Sequence, residues 1–114
     1  MDVIAFTPAA QLARMVHEKK IGCIELLERV IARIERLEGT INAIIVRDFE
    51  RAWQAARALD SQPRSGPLHG VAITVKKSFD VAGLPTTWGY PDFRDNTANE
   101  DAISAQRLNR LARW

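Results

Sequence analysis

The first forty residues alternate apolar and polar positions with the period of an α-helix. Thr7 and Pro8 have the form of a helix start, a hydroxyl cap followed by proline at the first helical position, and Gly22 ends this run. A second apolar stripe, with one member every three or four residues before Gly39, consists of Ile24, Leu27, Ile31 and Ile34. The pattern predicts two amphipathic helices, which we expect to pack as a hairpin.

Two short β-rich runs flank a third predicted helix. Residues 41–46 (Ile-Asn-Ala-Ile-Ile-Val) predict one strand and residues 71–75 (Val-Ala-Ile-Thr-Val) predict another, with a helix capped by Asp48 between them. Residues 71–75 are apolar on both faces apart from Thr74, which is typical of a strand buried inside a larger sheet. Because two strands do not make a stable sheet, this pattern favours strand neighbours from outside these residues.

The remaining pattern predicts a loop and a last helix. Residues 79–98 hold two glycines and two prolines with few periodic apolar positions, and residues 99–114, ending in Trp114, are helical in pattern. We therefore predict an α/β fold in a single incomplete domain, residues 1–114. Residues 1–60 are mainly helical in this prediction, and residues 67–114 hold a strand, a glycine–threonine loop and the terminal helix.

The amino-acid composition restricts the classes of protein to which this chain can belong. The 114 residues are 46% hydrophobic and 26% charged, which is typical of a globular domain. A net charge of +2 gives no reason to expect a nucleic-acid partner. The single cysteine excludes an internal disulfide. We see neither a signal peptide nor an apolar run of the roughly 18 residues that a membrane span needs, so we expect a cytoplasmic protein.

Lys76 is the leading candidate for a catalytic group. It closes the second predicted strand, at the point where a buried sheet opens into a loop, and a partly desolvated lysine can act as a base. The alternative is a strand-end lysine that reaches water. Lys77 points to the opposite face of a strand, so at most one of the two lysines faces a given site.

Other candidates are weaker. His69 is more consistent with a histidine in a turn, and Cys23, between two amphipathic helices, with a structural role. No group of His, Cys and carboxylates has zinc spacing and no phosphate-binding loop is present, so we predict no metal and no cofactor. The arginines of the last segment favour a solvated helix face over nucleic-acid binding; they are Arg107, Arg110 and Arg113.

Two segments resemble the signature of a known family. They are Gly66-Pro-Leu-His-Gly-Val-Ala-Ile-Thr-Val-Lys76 and Phe79-Asp-Val-Ala-Gly-Leu-Pro-Thr-Thr-Trp-Gly89. Members of the amidase signature family typically contain G-P-L-H-G-V-P-x-x-V-K-D/E followed by D-x-x-G-x-P-T-T-x-G. The resemblance extends over nearly the whole chain but over about the first quarter of a typical member.

The resemblance implies a fold and a reaction. The fold is the N-terminal part of an amidase signature fold, a helical hairpin plus about two strands of a larger mixed sheet. The family uses a Ser-cisSer-Lys triad, in which Lys76 matches the base, and hydrolyses a carboxylic amide to an acid and ammonia or an amine through a serine acyl-enzyme. The implied partner is a small-molecule amide substrate.

This chain departs from the family pattern in three ways. Ala72 stands where proline is usual, and Lys77 where an acidic residue is usual. Both catalytic serines are absent from these residues, so we expect no catalysis by this chain alone. Self-association through exposed apolar strands is a further expectation. The alternative function is a free-standing helical interaction module that presents the stripe of Ile24, Leu27 and Ile31 to a protein partner.

Overall fold

The computed structural model describes residues 3–113, and so Trp114 lies outside the described residues. The α-helices are α1 (Ala9–His17), α2 (Cys23–Ile41), α3 (Phe49–Asp60) and α4 (Ile103–Ala112), with short 3-10 turns at Val3–Phe6 and Pro91–Phe93. The described chain divides into two compact units. The first unit comprises residues 3–72 and 111–113, and the second unit residues 73–110.

Neither predicted strand forms. Between residues 3 and 113, the only β-type pairing is an isolated bridge between Pro85 and Thr97. Ile41 is the last residue of α2, and residues 42–46 and 71–75 are irregular. A strand exists only while its backbone amides and carbonyls bond to a neighbouring strand, and the two β-rich runs do not pair with each other. The prediction of strands within this chain was therefore wrong, and the described fold is helical.

Helix α1 begins and ends differently from the prediction. The Thr7 hydroxyl donates to the Val3 carbonyl at 2.8 Å in the preceding turn and makes no cap for α1. At the other end, Lys19 takes the left-handed conformation with φ 55°. The Lys19 and Lys20 amides then donate to carbonyls of the last turn at 3.0 and 2.9 Å, which is a Schellman ending. The helix thus ends before Gly22, without glycine at the left-handed position.

Helix α2 continues past Gly39. It ends at Asn42, whose φ is 50° and whose amide donates to the Glu38 carbonyl at 2.7 Å. Asparagine tolerates the left-handed conformation better than most residues, so Asn42 supplies the stop. The buried Glu38 carboxylate also accepts a hydrogen bond from the Ile44 amide at 2.6 Å, which folds the chain back after the helix.

The core of the first unit lies mainly between α2 and α3. The buried members of this core are Val16, Ile21, Cys23, Leu26, Leu27, Ile31, Ala56 and Leu59. The most extensive helix–helix contact joins α2 to α3, while α1 adds Val16 to the same core, so the expected hairpin of α1 and α2 is not the main packing unit. Leu27 and Ile31 are buried here, and their stripe is not a free partner surface.

Candidate functional site

Lys76 lies in the second unit with its side chain exposed. Its carbonyl accepts a hydrogen bond from the Phe79 amide at 2.9 Å, which makes a turn of residues 76–79. Lys77 is half-buried. Among the described side chains, none forms a hydrogen bond or ion pair with the Lys76 ammonium, so this amine remains open to an incoming group.

The glycine–threonine loop, residues 83–89, is ordered by backbone hydrogen bonds. The Gly83 amide donates to Ala98 at 2.8 Å, and the Thr86 amide donates to Asn96 at 2.9 Å. Closer to Lys76, the Trp88 amide lies 3.4 Å from the Lys77 carbonyl. This hydrogen bond joins the glycine–threonine loop to the residue after Lys76.

Thr86 is the most buried polar residue of this loop, with 3% of its surface exposed. Its carbonyl accepts a hydrogen bond from the Asn96 side chain at 2.9 Å. Its hydroxyl has no hydrogen-bond partner in the part of the chain that the structure describes. A buried hydroxyl without a hydrogen-bond partner raises the free energy of the folded chain. The hydrogen-bonding groups of this loop are therefore less completely paired than those of the surrounding backbone.

His69 is a packed structural residue of the first unit. Only 1% of its surface is exposed. Its Nδ1 atom lies 3.0 Å from the Ser65 carbonyl oxygen, and its Nε2 atom lies 3.3 Å from that of Leu59 at the end of α3. The ring therefore ties the 65–70 turn to α3. The sequence placed His69 correctly in a turn but gave no sign of its burial.

Cys23 and Gly70 make a close contact that favours glycine at position 70. Gly70 has φ 74°, and a Cβ atom there would overlap the Cys23 Sγ atom. Burial raises the pKa of the Cys23 thiol to about 11, and the neighbouring Asp60 carboxylate adds to the rise. The thiol is therefore protonated near neutral pH and unsuited to nucleophilic catalysis.

Asp60 is the most consequential residue that sequence reasoning missed. Its Oδ1 and Oδ2 atoms accept hydrogen bonds from the Cys23 and Ile24 amides at 2.7 and 2.9 Å, so the last residue of α3 caps the start of α2. Arg64 donates to Oδ1 at 3.1 Å. Burial acts to raise the pKa of Asp60, but these hydrogen bonds and the Arg64 charge outweigh it and lower the pKa.

A polar surface cavity of about 590 Å³ opens beside this cap. It is lined by His17, Lys19, Asp60, Ser61, Gln62, Pro63 and Arg64. The Ser61 hydroxyl donates to the Ala58 carbonyl at 2.8 Å, and the Asp60 carboxylate accepts hydrogen bonds from the start of α2. Neither side chain is therefore placed as a nucleophile or a base. Within residues 3–113 no group of three or more His, Cys, Asp or Glu is arranged to hold a metal ion.

The sequence matches a family model over most of its length. Residues 25–112 match the family described as Amidase. The chain belongs to the amidase family. The resemblance inferred from the segments around Lys76 and Gly89 is therefore confirmed. None of the helices seen between residues 3 and 113 is long and apolar enough to cross a membrane.

Several characterised relatives are similar to this chain. An acylamidase of Rhodococcus erythropolis is 36% identical over 104 residues, which are 88% of this chain and 22% of that protein. Fatty-acid amide hydrolase 2 of Homo sapiens is 32% identical over 103 residues, which are 81% of this chain and 19% of that protein. The chain thus spans about a fifth of the length of these relatives.

A solved structure supports the same relationship. It belongs to a vestigial protein complex that reveals the evolutionary origins of an s-triazine catabolic enzyme. The two folds superpose with a TM-score of 0.87 at 28% identity, over 93% of this chain and 24% of the other. The helical arrangement described above is therefore that of a segment of a larger amidase-family fold.

Proposed function

We propose that this chain forms the N-terminal segment of an amide hydrolase and supplies its base, Lys76. Relatives named acylamidase, fatty-acid amide hydrolase and amidase support hydrolysis of a carboxylic amide as the reaction class. The observation that carries the assignment is the place of Lys76. Its ammonium is exposed and unpaired among the described residues, and the next residue is joined to the glycine–threonine loop through Trp88.

In the proposed reaction, the Lys76 amine accepts a proton relayed from the nucleophilic serine through a second serine. Both serines come from residues outside 1–114. The activated serine oxygen attacks the amide carbonyl, Lys76 passes its proton back to the leaving nitrogen, and the C–N bond breaks to release the amine or ammonia. Water then attacks the resulting ester and releases the acid. This chain contributes the base and the loop that adjoins it.

A hybrid enzyme tests the assignment. This chain replaces the matching N-terminal segment of the Rhodococcus acylamidase, and hydrolysis of simple aliphatic and aromatic amides is measured. We expect Lys76→Ala to lower kcat/KM by about a thousandfold or more, because the nucleophile loses its base. Circular dichroism confirms that each variant is folded.

Lys77→Glu is the matched control, since it changes the adjacent lysine to the acidic residue that is usual in the family. We expect its kcat/KM to stay within about threefold of the parent hybrid, because the change restores the usual charge at a position that does not supply the base. Equal losses in both variants, or full activity of Lys76→Ala, would show that Lys76 is not the base.

A role in an amidotransferase is the second candidate. The observation that favours it is a relative from Nocardia farcinica, 34% identical over 92 residues, that is named as one of the subunits of a glutamyl-tRNA(Gln) amidotransferase. A second hybrid, in which this chain replaces the matching segment of the Nocardia subunit, distinguishes the two. Release of ammonia from glutamine by this second hybrid, together with an acylamidase hybrid that hydrolyses no simple amide, would favour the amidotransferase role.

A further inference from the structure

Asp101 joins the loop after Lys76 to helix α4 within the second unit. Its Oδ1 atom accepts a hydrogen bond from the Ala82 amide at 2.7 Å, and Oδ2 accepts one from the Asn109 side-chain amide at 3.2 Å. Its backbone carbonyl accepts a third from the Gln106 side chain at 2.9 Å. Two residues of α4 therefore hold Asp101, while its carboxylate fixes the backbone at Ala82.

This use of the carboxylate differs from helix capping. An aspartate at a helix start commonly accepts hydrogen bonds from the first amides of that helix. Helix α4 begins at Ile103, two residues after Asp101, and its Gln106 amide donates to the Ala102 carbonyl. Both carboxylate oxygens of Asp101 have the other partners given above. The side chain is thus a cross-link to the preceding loop.

Besides this carboxylate contact, hydrogen bonds at Asp80 and Lys77 also hold the loop after Lys76. The Ala102 amide donates to the Asp80 carbonyl at 2.9 Å, and the Trp88 amide donates to the Lys77 carbonyl at 3.4 Å. Two of these three hydrogen bonds involve Asp101 and Ala102, in the turn just before α4. The third, from Trp88 to Lys77, is the longest of the three and lies one residue from the candidate base.

We propose that Asp101 is a positioning residue for Lys76. Removal of its carboxylate takes away the short hydrogen bond that holds the Ala82 amide. The Gly83 and Thr86 amides keep their hydrogen bonds to Ala98 and Asn96, but the loop loses its anchor at residue 82, and we expect the long hydrogen bond from Trp88 to Lys77 to weaken with it. The backbone of Lys76, the neighbour of Lys77, is then held less firmly. This inference rests on the proposed catalytic role of Lys76.

Native-state hydrogen exchange of the 114-residue chain, read amide by amide by NMR, tests the proposal. In Asp101→Ala we expect the Ala82 and Trp88 amides both to exchange about tenfold faster, because the local opening that exposes them becomes easier. Asp101→Asn keeps a carbonyl acceptor for Ala82 and should retain protection at both amides. The matched control is Asp95→Ala, since Asp95 is exposed in the same unit.

Faster exchange at Ala82 with Trp88 unchanged would overturn the proposal, because Asp101 would then act only locally. Loss of protection in Asp95→Ala or Asp101→Asn equal to that in Asp101→Ala would overturn it as well. If Asp101→Ala accelerates the Leu26 amide of α2 equally, the whole chain has opened, and the milder Asp101→Ser takes its place with the same two outcomes. In the hybrid enzyme, Asp101→Ala should also lower kcat while KM stays unchanged, which a merely structural role would not do. Because exchange requires no activity, an inactive hybrid enzyme would sink the role of Lys76 without changing the exchange result.

Discussion

At the scale of single residues, the His69-Gly70 pair shows that part of the segment that carries the family resemblance has a structural role. His69 fills the space between the 65–70 turn and α3, and Gly70 lets the backbone pass against Cys23. Any side chain at position 70 meets both a left-handed backbone and the Cys23 sulfur. Gly70 therefore allows close packing against Cys23, and His69 is a fully buried side chain that fills the space between the turn and α3.

Gly70→Ala should destabilise the chain by about 2–4 kcal/mol, from the left-handed backbone and the overlap with Cys23 together. Urea unfolding followed by circular dichroism measures the change. Gly39→Ala is the control, because nothing lies within 4 Å of a Cβ there and it sits inside α2. It should stabilise by about 0.5–1 kcal/mol.

The double variant Gly70→Ala with Cys23→Ala separates the two causes. Removal of the sulfur relieves the overlap, so the double variant should lose less stability than the two single losses added together. A Gly70→Ala chain as stable as the parent would contradict the described contact.

At the scale of elements, the start of α2 is capped by a residue far away in the chain. Asp60, the last residue of α3, accepts hydrogen bonds from the first amides of α2, and the partially positive end of that helix favours its negative charge. The cap therefore also fixes how the end of α3 meets the start of α2. One carboxylate links the two helices whose packing forms the core.

The lowered pKa of Asp60 predicts acid sensitivity. A carboxyl group whose pKa is lower in the folded chain adds stability that is complete above its ordinary pKa of 3.8 and is lost as the pH falls from there through the folded value. Asp60→Asn should cost about 1–2 kcal/mol at pH 7, and this difference should shrink below about pH 4. Urea unfolding of both chains from pH 7 to pH 2.5 measures it, and a pH-independent difference would contradict the assignment.

From the sequence we can predict the features of the helices that depend on residues nearby in the chain. Apolar spacing located the helices, and the run from Gly66 to Gly89 revealed the family. Strands at 41–46 and 71–75 could not be decided this way, because a strand depends on partners that local composition does not reveal. The cap at Asp60 was missed since its target lies 36 residues earlier. Lys19 and Asn42 end helices in a conformation where glycine was expected.

At the scale of the whole molecule, the second unit leaves large aromatic side chains in solvent. Trp88, Tyr90 and Phe93 are 63%, 61% and 49% exposed. Clustered apolar surface of this kind is usually covered by further protein. The short span of the family match, about a fifth of the acylamidase, agrees with a chain that works as part of a larger fold. Self-association of this chain remains a prediction.

A polypeptide of these 114 residues should hydrolyse no amide by itself. The proposed base is Lys76, but a base without the catalytic serines to activate gives little acceleration. Ammonia release from purified chain with a panel of simple amides measures this. Turnover that Lys76→Ala abolishes would mean that a nucleophile within the chain has been overlooked, and Lys77→Ala serves as the control for nonspecific loss.

The contact between Cys23 and Gly70 also has a practical consequence for spectroscopy. The only native thiol is enclosed in the core, and its pKa near 11 leaves it almost entirely protonated at neutral pH. Maleimide and thiosulfonate reagents attack exposed thiolates. A cysteine introduced at an exposed position such as Thr97 would therefore be labelled, and Cys23 would not. Fluorophores or spin labels can then be attached to the second unit while the native cysteine stays in the sequence.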